Sequence, residues 1–153
     1  GGTYSNSGSA TSAGGVSVNH GTAPGGAGGD GGQLIEQVIA SIEGDMSLVS
    51  NTSTAEATPT VGDIVMLMED GVGTATINTD IIAYISRDAG TNWSSAVTLV
   101  DEGNWGTNKK ILVARNVDIS SLAGTTSMRY KIDTANQSTT LDTRVHAVSL
   151  AWK

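Results

Sequence analysis

From residue 46 to the end of the chain, apolar and polar residues alternate with a period of two, the pattern of half-buried β-strands. Residues 64–68 differ because nearly all are apolar, and we expect this strand at a core position. In the last strand, Val145, Ala147, Ser149 and Ala151 should face one way, and His146, Val148, Leu150 and Trp152 the other. The predicted strands are 46–50, 64–68, 81–87, 95–101, 110–117, 128–133 and 144–152, with a weaker pattern at 76–78.

The segments between these strands are rich in Gly, Asn, Asp and Ser, which favour turns. They are residues 69–73, 86–93, 103–108, 122–125 and 136–139. Seven or eight short strands separated by such turns indicate an all-β fold. We therefore predict an antiparallel β-sandwich or jelly roll over residues 45–153.

Residues 33–44 carry a different period, with apolar side chains spaced as on one side of a helix and Gly44 as its stop. The pattern predicts a short amphipathic helix or linker, although its β-branched residues leave a strand open. A helix here would either form a trimeric coil or lie on its own domain. The residues proposed for oligomerisation or anchoring are Leu34, Ile35, Val38, Ile39 and Ile42.

Composition sets residues 1–32 apart, since they hold 12 of the 20 glycines and a single charge, Asp30. Such a segment buries too little apolar surface to offset the entropy of ordering it. We predict a Gly/Ser-rich extended arm that neighbouring molecules hold. The net charge of −7 argues against nucleic acid as a partner, and no apolar run is long enough for a membrane span.

The run Ser86-Arg87-Asp88-Ala89-Gly90-Thr91-Asn92-Trp93 resembles the Asp-box, a β-hairpin motif of sialidases and of many unrelated β-domains. We expect Asp88 to accept hydrogen bonds from N–H groups two residues on, and Gly90 and Asn92 to adopt positive φ. The resemblance implies a structural hairpin, built on Ser86, Asp88, Gly90 and Trp93, with the Trp folded over it. It does not imply an active site.

Catalytic and metal chemistry find little support in the sequence. His20 and His146 form no ligand pair, no Cys is present, and no G-x-S-x-G elbow appears. Asp101-Glu102 beside Asn104, or Glu69-Asp70, could contribute to an oxygen-ligand calcium site, but solvated loop carboxylates explain them more simply. We predict no catalytic residue, no metal site and no cofactor.

Trp105 is the most suggestive candidate for binding, because no apolar residue is adjacent to it in its loop. A Trp beside Asn104, Asp101 and Glu102 is a combination suited to a sugar, with the ring stacking on the pyranose and the polar groups reading hydroxyls. The alternative is a ring that packs over the sheet edge or into a subunit interface.

Six phrases resemble a C-terminal β-domain of structural proteins of tailed bacteriophages, especially marine ones, of the tail-fibre-like or minor virion class. They are residues 45–51, 59–66, 74–80, 86–93, 124–132 and 144–150. The resemblance implies an extracellular virion component, usually a trimer, and carries over no functional residue. We predict a non-enzymatic virion structural protein, a fibre, appendage or capsid decoration. The alternative is a carbohydrate-binding module for host-surface glycans, and a glycan-degrading enzyme is the weakest hypothesis.

Overall fold

The computed structural model describes residues 44–153 and two short strands before them. The chain divides into two compact units, Gly1–Ile42 and Glu43–Lys153. In the first unit, β1 (Ser7–Ser9) pairs antiparallel with β2 (Ser17–Asn19) within the predicted arm. The remaining arm residues and the proposed helix at 33–43, with its apolar residues Leu34, Ile35, Val38, Ile39 and Ile42, lie outside the described residues.

The second unit is all-β, with eight strands in two antiparallel sheets and no helix among residues 44–153. The first sheet has the order β10-β5-β8-β7, and in the second β9 pairs with β6, β3 and β4. The strands are β3 (Ser47–Val49), β4 (Ser53–Thr54), β5 (Val61–Val72), β6 (Ile81–Ser86), β7 (Val100–Asn104), β8 (Lys109–Asp118), β9 (Ser127–Thr134) and β10 (Asp142–Trp152).

One hydrophobic core receives side chains from both sheets. In β5 the even-numbered residues Ile64, Met66 and Met68 are buried, while the odd-numbered Val65 is exposed, as the two-residue period of a strand requires. The second sheet contributes Ile81 and Ile85 of β6, and Ile132 of the neighbouring strand β9, to the same cluster. Burying each such side chain contributes roughly 1.5–3 kcal/mol, so the even face of β5 is a main source of stability.

The predicted all-β class and most predicted strands are confirmed, but several segments differ. Residues 69–72 were predicted as a turn, yet they continue β5, because Glu69 pairs with Lys109 of β8 in the ladder. Residues 76–78 form no strand and only a single bridge, at Ile77. Of residues 95–101, only the last two belong to β7, because the chain bridges β6 once, at Val97, before it reaches the other sheet.

The last strand was predicted to alternate without interruption, and this prediction was wrong at Val145. A β-bulge shifts the register between Val145 and Ala147. Val148, Leu150 and Trp152 pack against the core as expected, but Val145 joins them there, and His146 is exposed. An extra residue in one strand of an antiparallel pair has this effect, since it restarts the alternation after the bulge.

Arg87 connects loops of both sheets through a largely buried guanidinium, the residue being only 8% exposed. Its Nη1 donates to the carbonyl of Pro59, before β5, at 2.8 Å. Its Nη2 donates to the carbonyl of Ser120 at 2.8 Å, and its Nε to that of Leu122 at 2.8 Å. Ser120 and Leu122 lie between β8 and β9. One side chain at the end of β6 therefore holds the start of β5 and the turn after β8 in place.

Replacement of Arg87 by Met should destabilise the protein by about 2–4 kcal/mol, because three partly buried carbonyls lose their donors. The measurement is the free energy of unfolding in urea. Arg115→Met is the matched control, since the Arg115 side chain is 60% exposed in a surface ion pair and should cost below about 1 kcal/mol. Equal effects of the two substitutions would contradict the role given to Arg87.

Candidate functional site

The outer face of the first sheet carries a contiguous apolar surface. Val65 of β5 points away from the core, is 43% exposed, and lies between Val113 of β8 and Ser149 of β10. Two residues along β5, Leu67 lies between Ile111 and Ala147 in the same way. Sequence analysis placed residues 64–68 in the core, but only their even-numbered side chains lie there.

Trp105 extends this surface from the turn that joins β7 to β8. The residue is 64% exposed, and its N–H donates to the carbonyl of Lys109 at 2.9 Å, which closes the turn. Together with Val65, Leu67, Ile111 and Ala147, Trp105 lines a shallow groove of about 260 Å³. We name these five residues the Trp105 face. Trp105 therefore has apolar neighbours in space, although its own loop offers none.

The polar residues proposed beside Trp105 do not line this groove. The Asp101 carboxylate accepts the N–H of Gly103 at 2.8 Å and so stabilises its own turn, while Glu102 pairs with the guanidinium of Arg115. The Asn104 side chain forms no hydrogen bond among residues 44–153. Of the four predicted ligand-binding residues, Trp105 alone lines the groove. The carboxylates of Asp101 and Glu102 instead stabilise local structure.

Sequence reasoning missed the other members of the Trp105 face. The signal was present in the run at 64–68, where both faces of one strand are apolar. A strand buried on one side only needs apolar residues at alternate positions, so a second apolar face indicates a second surface to cover. Ile111 and Ala147 could not be assigned to that surface without the register of β8 and β10.

A cluster of charged and titratable groups lies along the same sheet at Glu69. The Nε2 atom of His146 is 2.5 Å from Oε2 of Glu69, and Nζ of Lys109 is 3.4 Å from the same oxygen. The hydrogen bond with His146, and then Lys109, lower the pKa of Glu69. His146 is the one histidine of residues 44–153, and no Ser or Thr hydroxyl of the described residues lies within hydrogen-bonding distance of it. The nearest polar partner is thus a carboxylate rather than a nucleophile.

The Asp-box forms a hairpin turn, but two details differ from the expectation. Gly90 has the predicted positive φ of 85°, whereas the second such residue is Ala89 at 60° rather than Asn92. The N–H of Gly90 donates to Oγ of Ser86 at 2.9 Å, while Oδ1 of Asp88 accepts the N–H of Asn92 at 2.8 Å. Asp88 therefore accepts an N–H from four residues on rather than from two. The N–H two residues on, that of Gly90, donates to the hydroxyl of Ser86 instead.

Trp93 lies over this turn as predicted. A Cβ at Gly90 would be 3.1 Å from Cζ2 of the ring, so glycine permits the close packing there. Nζ of Lys131 lies 5.5 Å from the ring centroid, a cation–π distance. The hydrogen bonds from Asn92, first its N–H and then its side chain, lower the pKa of Asp88, whose oxygens are engaged within the hairpin. The geometry supports a structural role for Ser86, Asp88, Gly90 and Trp93.

Comparisons with family models, with curated proteins and with solved structures found no match for this chain. Residues 44–153 contain no group of three or more His, Asp or Glu side chains placed to hold a metal ion. No helix among the described residues is both long and apolar enough to cross a membrane.

Replacement of Asp88 by Ala should destabilise the protein by about 1–2 kcal/mol at neutral pH, because the hairpin loses charge-assisted hydrogen bonds. The pKa of Asp88 is lowered in the fold, so its stabilisation is complete above the unfolded pKa and falls as pH drops through the folded pKa. The difference between wild type and variant in urea should therefore shrink as the pH falls below the ordinary pKa of Asp, about 3.9. Asp101→Ala, which removes one hydrogen bond of an exposed turn, is the control with the smaller effect.

Proposed function

We propose that this chain is a non-enzymatic structural protein of a phage virion, a fibre or appendage component or a capsid decoration. Its N-terminal part anchors it on other virion proteins, and the chain assembles as a trimer. Its β-domain projects outward from the particle, with the two sheets packed as a sandwich, and the jelly-roll topology stays a prediction. The sequence resemblance supports this proposal, as does the division into an N-terminal unit and a compact unit of residues 43–153.

The Trp105 face is the observation that carries the proposal. An exposed ring beside an apolar sheet surface is unfavourable in water, and contiguous apolar patches on monomers mark interaction sites. The surface is shallow and has almost no polar lining, which suits contact with another protein surface better than recognition of a polar small molecule. We assign this face to contact between subunits of the assembly.

The engagement of two titratable side chains adds support. His146 is bound to Glu69, and the oxygens of Asp88 are engaged by Ser86 and Asn92. A general acid or base must reach a substrate proton, which Asp88 cannot do without breaking these contacts. His146 has no Ser or Thr hydroxyl to activate within hydrogen-bonding distance among residues 44–153.

Recognition of a host-surface glycan through the Trp105 loop is the second candidate, because Trp105 is 64% exposed and available for stacking. The local commitments of Asp101 and Glu102 weaken it. Unchanged binding on a glycan array after Trp105→Ala would remove this candidate.

Removal of residues 1–44 should abolish incorporation into virions and leave the β-domain folded, because the core lies within residues 43–153. Incorporation is measured by immunoblotting of purified particles, and folding by circular dichroism and cooperative melting. The full chain is the control. Normal incorporation of the truncated chain would contradict the proposed anchoring role.

Val65→Lys should disrupt assembly of the purified full chain, because it places a charge in the middle of the Trp105 face. We expect native mass spectrometry to show a trimer for the wild type and monomer for the variant. Val49→Lys is the matched control, since Val49 is also 43% exposed but lies on β3 of the other sheet. An unchanged oligomer in the Val65 variant, or loss of the oligomer in both, would contradict the assignment.

A further inference from the structure

We propose that a second groove, beside Trp93, binds a neutral carbohydrate, a hexose-containing glycan. The groove has a volume of about 530 Å³. One wall is the segment 93–98 that follows the Asp-box, and the other is the end of β8 with the turn after it, including Arg115, Asp118 and Ser121. Its size falls in the usual range of small-ligand sites, roughly 300–1,000 Å³. We name it the Trp93 groove.

Trp93 supplies the stacking surface. The ring is partly buried and lines the groove, and Lys131 lies over it at 5.5 Å. Because Trp93 lines the groove, a ligand there would contact the part of the ring that neither Lys131 nor Gly90 covers. The C–H bonds of a pyranose carry partial positive charge and pack well on the electron-rich face of an aromatic ring.

Hydroxyl groups without partners complete the recognition surface. The side chains of Ser95, Thr98 and Ser121 are exposed and line the groove, and none forms a hydrogen bond with another described residue. A Ser or Thr hydroxyl both donates and accepts, and so does each hydroxyl of a sugar. These side chains can therefore bind sugar hydroxyls without giving up an existing contact.

The charges in the groove favour a neutral ligand. Arg115 and Asp118 both line it and carry opposite charges, so a strongly anionic or cationic ligand would meet a like charge. Oδ1 of Asp118 accepts the N–H of Ser120 at 2.9 Å, and the side chain of Ser120 also interacts with this carboxylate. A carboxylate has about four acceptor sites, so acceptor capacity remains for a sugar hydroxyl. The guanidinium of Arg115 pairs with Glu102 but retains further N–H donors.

Both walls are held in place before any ligand binds. The N–H of Ser94 donates to the carbonyl of Ile85 at 2.8 Å, and that of Val97 to the carbonyl of Ala83 at 2.9 Å. The opposite wall is fixed through Arg87, which binds the carbonyls of Ser120 and Leu122. A preformed groove avoids the entropic cost of ordering loops upon binding.

The two grooves thus differ in chemistry. The Trp105 face is almost wholly apolar, whereas the Trp93 groove combines a ring, free hydroxyls and balanced charges. This inference deepens the proposed function and rests on it in one respect, that an outward-projecting domain meets glycans of the host surface.

The test uses the intact chain on an array of oligosaccharides of glucose, galactose, mannose and N-acetylglucosamine, with sialylated and uronic-acid glycans beside them. We expect binding to a neutral glycan, followed by calorimetric titration with that glycan. Thr98→Trp and Ser121→Trp fill the groove at exposed positions and should weaken binding by roughly tenfold or more. Circular dichroism and melting should stay unchanged, whereas Trp93→Ala alone could also disturb the hairpin.

Trp105→Ala is the matched control and should leave glycan affinity unchanged. No binding to neutral glycans, binding to acidic glycans only, or unchanged affinity in both filled-groove variants would overturn the inference. Loss of binding in Trp105→Ala alone would also overturn it, since the sugar site would then lie at the other groove. Virion incorporation is scored separately, so a chain that is incorporated but binds no glycan overturns this inference and leaves the proposed function standing.

Discussion

The guanidinium of Arg87 donates to three backbone carbonyls, and the relative placement of the two sheets at one end of the domain depends on this contact. Arg87 follows β6 of the second sheet, whereas Pro59 precedes β5 and Ser120 follows β8 of the first. Among the described residues no carboxylate forms an ion pair with it, so carbonyl dipoles alone compensate the charge. Burying a cation without a counter-ion is costly, so positions of these loops in which the guanidinium loses a carbonyl are unfavourable. The same bonds hold one wall of the Trp93 groove.

Patterns of neighbouring residues predicted the strands that the local sequence determines. They failed where contacts with residues distant in the sequence determine the structure. Residues 81–86 and 128–133 alternate or carry strong β-formers, and both are strands. Glu69-Asp70-Gly71 is typical of a turn, but Lys109 and Lys110 on β8 pair with the two carboxylates and extend the strand. The bulge before Ala147 leaves no mark in the sequence. The groove beside Trp93 was equally invisible, since its walls are about 20 residues apart along the chain.

Trp105 is exposed and Trp93 is partly buried, and both show that residue type alone does not identify a binding site. Trp105 has only polar or small sequence neighbours, yet three strands surround it with apolar side chains. Trp93 belongs to a structural motif, yet its free hydroxyl neighbours come from the segment that leaves the hairpin and from a distant turn. In our proposal the domain separates assembly from recognition, because each surface has the polarity that suits its partner.

The bulge at His146 also bears on how copies of the domain can join. β10 is the last strand of its sheet among residues 44–153, so one edge of it presents backbone donors and acceptors that an incoming strand could use. At the bulge the regular spacing of these groups is broken, and the charged Arg144 lies beside it. A continuous ladder along the whole edge is thereby prevented, which guards copies of the domain against edge-to-edge growth into fibrils.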